Sequence, residues 1–183
     1  MKHILFLTCL LLAVTNLIAQ REAPSTNDYL ASTGGIGPIK TGMNKNDVEK
    51  LLNTTLKLPH TSQPSNWDYD TVKATYKDMP LQLVFSREYV GTGNNTRITL
   101  YSVQSSHPMV KTKSGVGIGD DKLKIVKTYE QFHLSIEPEW VDSKPNTSRS
   151  IVRLYDNDNP KTLIFYLDNN IITRIEVTAW QGE

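Results

Sequence analysis

Five side chains have the chemistry of a contact surface: Arg97, Tyr101, Tyr166, Arg174 and Trp180. Arg, Tyr and Trp dominate binding hot spots because each joins a large contact area to a polar handle. Strand alternation puts Arg97, Thr99, Tyr101 and Val103 on one face of their segment and Ile98, Leu100 and Ser102 on the other. In the same way Arg174, Glu176, Thr178 and Trp180 oppose Ile175, Val177 and Ala179. Tyr166, out of phase with Phe165, joins the first set, as do Trp67 and Tyr69. The aliphatic sets are expected to form a core. The other face is expected to be an open sheet surface that binds another protein.

Residues for covalent or acid–base chemistry are sparse. His60, His107 and His133 lie in separate segments, with no i, i+4 pair and no metal-ligand spacing. Asp68 and Asp70 alternate on one strand face and could pair as acid and base, but a solvated face accounts for them. No serine sits in a G-x-S-x-G elbow. "STGGIG" and "SGVGIG" lack the spacing of phosphate loops and read as turns leading into helices. In "DNDNP", Asp156 and Asp158 suggest calcium, yet Lys161 and Leu167 stand where an EF-hand needs Gly and Glu. A hairpin turn explains that stretch. The expectation is a chain with no catalytic set, no metal site and no cofactor.

The compartment is written at the N-terminus. Lys2 and His3 precede the apolar run "ILFLTCLLLAV", and Ala19 offers a small residue for cleavage. That is a signal-peptide pattern over residues 1–19. The run is shorter than the roughly 20 residues that cross a bilayer. An exported chain, periplasmic or secreted, with no transmembrane segment after signal removal is expected. Cys9, the one cysteine, falls inside the run, so the remainder has no disulfide or thiolate ligand. Lys2 is the only charged residue among the first twenty, which leaves 19 of 20 basic residues against 19 acidic ones. A neutral chain gives no electrostatic reason to expect nucleic acid as partner.

The elements that would position these residues look duplicated. Thr96-Arg97-Ile98 and Thr173-Arg174-Ile175 are 77 positions apart, and so are Gly42 and Gly119. Each glycine precedes a helical pattern. Val48, Leu51 and Leu52 form one stripe, with Asn44 as N-cap and Asp47 beside it. Ile125, Val126 and Tyr129 form the other, with Asp120 or Asp121 as cap. Alternating Val, Ile, Thr, Phe and Tyr predict strands over 72–76, 81–86 and 96–103, then 150–155, 162–167 and 171–179. The expected organisation is a flexible leader over 20–34 and two repeats, 35–106 and 107–183. The expected fold is α+β: two tandem units, each a helix then three antiparallel strands, with the helices on one face of the sheet.

"GPIKTGMNKNDVEKLLN", "WDYD", "LQLVF" and "TRITLYSV" together resemble the small domain of the outer-membrane assembly lipoprotein BamE (SmpA). "KTKSGVGIGDDKLKIVKTY" resembles the opening of a second such unit, and the tandem plan is similar to that of the β-lactamase inhibitor proteins. The resemblance implies a non-enzymatic module that binds another envelope or secreted protein through its sheet face. The alternative it implies is an inhibitor or immunity protein that blocks a secreted enzyme or toxin. Asn53 and Glu130 stand where the family ends its helices with Gly, and the family's anchor cysteine and the inhibitors' disulfides are absent.

Overall fold

The computed structural model describes residues 25–59, 68–89, 96–156 and 160–179. The expected signal peptide lies outside them, as do His60, Trp67, Asp158 and Trp180. The chain is mostly β: 57% of these residues are strand and 14% helical. This overturns the expected α+β plan of two helix-plus-three-strand units.

Four short strands form a small sheet: β1 (Leu30–Ser32), β2 (Gly35–Ile36), β3 (Ile39–Lys40) and β7 (Lys111–Thr112), in the order β3-β2-β1-β7. Seven longer strands form a second sheet: β4 (Asp68–Tyr76), β5 (Met79–Tyr89), β6 (Thr96–Ser105), β8 (Leu134–Val141), β9 (Lys144–Tyr155), β10 (Lys161–Asp168) and β11 (Ile171–Ala179). Their order is β4-β5-β6-β11-β10-β9-β8, antiparallel throughout. Within this sheet β4, β5 and β6 join β8, β9, β10 and β11 at the β6–β11 pair, where Ser102, Val103, Gln104 and Ser105 face Thr178, Val177, Glu176 and Ile175.

Two features of the fold depart from the expected repeat. The first is β8, which the repeat pattern leaves out. Its sequence, "LSIEPEWV", alternates, but Pro138 between two glutamates weakens the strand signal. Proline is tolerated on an edge strand because one side of that strand has no ladder to break, and β8 is the edge. The second is the polar stretch read as a leader. Residues 26–29 form a 3₁₀ turn and β1 follows, with Tyr29 and Ala31 buried. Asp28 ties this turn to the β4–β5 hairpin by accepting from Lys77 Nζ at 2.7 Å and from Tyr76 Oη at 3.1 Å. Gly37 then lets the chain turn back at φ +55°, where a Cβ would lie 2.2 Å from the Asp28 carbonyl oxygen.

Both helices form where the stripes place them, in shorter versions: α1 (Lys45–Leu52) and α2 (Lys122–Thr128). The Asn44 side chain accepts from the Asp47 N–H, and the Asp121 side chain from the Lys124 N–H. Asn53 ends α1 in the left-handed conformation usually given to glycine. Gly42 and Gly119 both have positive φ, and their N–H groups donate to the carbonyls of Leu100 and Ile172. The 77-residue spacing therefore marks one shared task, docking a helix entrance onto a long strand.

The helices and the small sheet cover one face of the large sheet. Val48 of α1, Ile36 and Ile39 of the small sheet, and Ile125 and Tyr129 of α2 join Leu83, Phe85, Leu100, Val103, Phe165, Ile175 and Val177 in one core. Asp70 also points to this face and is fully buried, so the expectation of a solvated carboxylate does not hold for it. Arg87 pairs with it through both Nε and a terminal nitrogen at 2.6 Å. A buried carboxylate needs such a partner, and removing one side strands the other charge. Asp70→Ala should lower stability by about 3–5 kcal/mol in chemical denaturation. Asp70→Leu with Arg87→Met should recover most of that loss. A single variant within ~0.5 kcal/mol of wild type would show that the pair is not structural.

Candidate functional site

The opposite face of the large sheet is built from the outward residues of all seven strands. Register pairing draws one row straight across it: Lys73, Gln82, Gln104, Glu176, Ile164, Arg153 and Ser135, one from each strand. The centre of this row is closely packed. Gln104 is 8% exposed and Ile164 is 7% exposed. Glu176 is held on both oxygens: Ser102 Oγ donates to one at 2.5 Å and Tyr166 Oη to the other at 2.7 Å. The Arg174 guanidinium lies 3.7 Å over the Tyr166 ring, an arrangement that lets the ring face carry the cation.

Three polar atoms in this region are buried without a hydrogen-bond partner: Gln104 Oε1, Arg174 Nε and Thr178 Oγ1. Such groups cost roughly 1–3 kcal/mol each when left unpaired, so their gathering on one surface calls for a reason. Beside them is a cleft of about 490 Å³ lined by Lys73, Thr75, Gln82, Gln104, Ser106 and Arg174 among others.

The expected contact residues are divided by the fold. Tyr166 and Arg174 meet at the centre, half-buried. Tyr101 lies toward the β4 side and its ring packs against Tyr69 at 4.9 Å. Arg97 is exposed at the far end of β6, 3.8 Å from Glu88. Because β6 and β11 run antiparallel, their repeated Thr-Arg-Ile motifs point to opposite ends of the sheet. Arg174 adjoins the Ser105 end of β6, eight residues or roughly 25 Å from Arg97. Trp180 and Trp67 lie outside the described residues.

Simple alternation misplaces part of β6. A bulge lies where Val84 pairs with Ser102 but Phe85 with Leu100, which leaves Tyr101 as the extra residue. Beyond it the parity changes: Val103 turns to the core, and Ser102 and Gln104 turn outward. The apolar spacing Ile98, Leu100, Val103 carried that signal. Asp70 is engaged with Arg87, His107 stacks on Tyr29 and His133 on Tyr155. Asp68's side chain lies outside the described residues.

Burial, and then the Glu176 carboxylate, push the Tyr166 phenol up to about 12. A folded-state value above the unfolded value of ~10 means that the protonated phenol stabilises the fold. That contribution is full below pH ~10 and is lost as pH rises toward about 12. Tyr29, which donates to Asp78, is raised to about 12 as well. In a phenolate absorbance titration Tyr166→Phe should remove one tyrosine from the late step and soften the alkaline loss of stability. An unchanged late step would show that Tyr166 ionises like a free tyrosine. Comparison with protein-family models, with curated proteins and with solved structures finds no match, so the site rests on its own geometry.

Proposed function

We propose that the chain is an exported, non-enzymatic binding module of the envelope or secreted space. It recognises another envelope or secreted protein through the outer face of its seven-stranded sheet. The observation that carries this reading is the group of buried, unpaired polar atoms at the centre of that face, next to a cleft and the Tyr166–Arg174 stack. An unpaired buried group is repaid when a partner supplies its hydrogen bond. The flanking Tyr69–Tyr101 pair adds aromatic contact area. The signal-peptide pattern supplies the compartment, and the BamE-like motifs agree with a scaffold without catalytic groups.

Arg97 is a rim residue in this reading, since it sits at one end of the sheet beside Glu88. The centre is formed by Gln104, Tyr166, Arg174 and Glu176. A photo-crosslinking residue at Tyr101 or Tyr166 should give one adduct of constant mass in the source cell. The same residue at Leu123, exposed on α2 on the other side of the molecule, should not. Equal adducts from all three positions, or none from the sheet face, would overturn the assignment.

A further inference from the structure

We propose that the cleft takes the C-terminal residue of a partner chain, its α-carboxylate held by Lys73 and Arg174 and its amide N–H by Gln104. This rests on the reading of the face as a protein-binding surface and names the chemistry it selects.

The cleft has the size of a small-molecule site, within the usual range of roughly 300–1,000 Å³, at about 490 Å³. That is room for the end of a chain. No acidic side chain lines it, while Lys73 and Arg174 both do. Among the described residues neither cation has an ion-pair partner. Glu176, two residues along the same strand from Arg174, accepts from Ser102 on one oxygen and from Tyr166 on the other. The site therefore has two cationic donors available to an anion.

Gln104 narrows the choice. Its side chain is more than nine-tenths buried, and Oε1 has no donor. Arg174 Nε, in the next row, has no acceptor. Both atoms are shut off from water, so solvent does not repay them. Gln104 Oε1 ends its side chain, and Arg174 Nε belongs to the guanidinium stacked on Tyr166, and both residues line the cleft. A simple anion would satisfy the cations and leave the Gln104 oxygen unpaired. A neutral amide would do the reverse. A chain terminus presents a carboxylate and an N–H separated by a single Cα, and so answers both needs. The planar guanidinium also suits a carboxylate, which it can engage through two parallel hydrogen bonds.

The test uses N-acetylglycine, which joins these two groups through one Cα and adds only an acetyl carbonyl. The ¹⁵N-labelled exported chain is titrated at constant ionic strength with N-acetylglycine, with acetate, and with N-acetylglycine amide. The readout is the Arg174 Nε–H and Gln104 side-chain amide resonances. N-acetylglycine should shift both saturably, and acetate and the amide should bind about tenfold more weakly or worse. Lys73→Ala, an exposed substitution that leaves the core intact, should cost about tenfold in affinity. Acetate binding as well as N-acetylglycine would overturn the proposal in favour of a plain anion site. The amide of N-acetylaspartate binding equally well would overturn it in favour of a side-chain carboxylate. No saturable shift with any probe would also overturn it. Crosslinks to a partner without probe binding sink the cleft assignment and leave the face reading standing. Probe binding without crosslinks sinks the face reading instead.

Discussion

The pairing of β6 with β11 is the constraint on which the rest of the structure depends. Four register pairs, Ser102–Thr178 through Ser105–Ile175, join what would otherwise be two small sheets. A three-stranded sheet has little face to bury a core against. Joined, the strands form one surface long enough to take both helices and the small sheet on one side. Val103 and Val177 stand opposite each other at this seam and make the core continuous. On the other side the same seam sets Gln104 beside Glu176, at the centre of the polar row.

The two faces show different energetics. The core face is filled with aliphatic and aromatic side chains, and its buried charge is paired, Asp70 with Arg87. The outer face buries polar groups instead. It satisfies some of them tightly, as with Glu176, and leaves Gln104 Oε1, Arg174 Nε and Thr178 Oγ1 unpaired. Natural proteins break local rules of polar satisfaction mainly where function requires it. In the proposed reading these unpaired groups are the ones whose hydrogen bonds a partner would complete.

Much of the fold was legible because its signals are local. The cap residues Asn44 and Asp121 act within a few residues of their own position, and Gly42 and Gly119 mark the turns that lead into the two helices. Six of the long strands follow from alternation. What was missed depends on distant partners. β8 is stabilised by β9 and tolerates Pro138 only because it ends the sheet. The polar stretch before β1 looks like a leader until Asp28 meets Lys77 and Tyr76, residues far along the chain. The α+β expectation failed for the same reason: short helices, the edge strand β8 and the small sheet shift the balance to β.

By itself the sequence determined which segments alternate, where helices start, and which residues carry aromatic and cationic contact chemistry. These are set by side-chain type and by period, and they need no neighbour. Only the tertiary structure decided which of those residues share a site. The bulge at Tyr101 changes the parity of β6 and brings Gln104 outward, where it meets Glu176 across the seam. The antiparallel seam sends Arg97 and Arg174 to opposite ends, although their motifs match. Strand register is a property of two chains of hydrogen bonds at once, so no single stretch of sequence contains it.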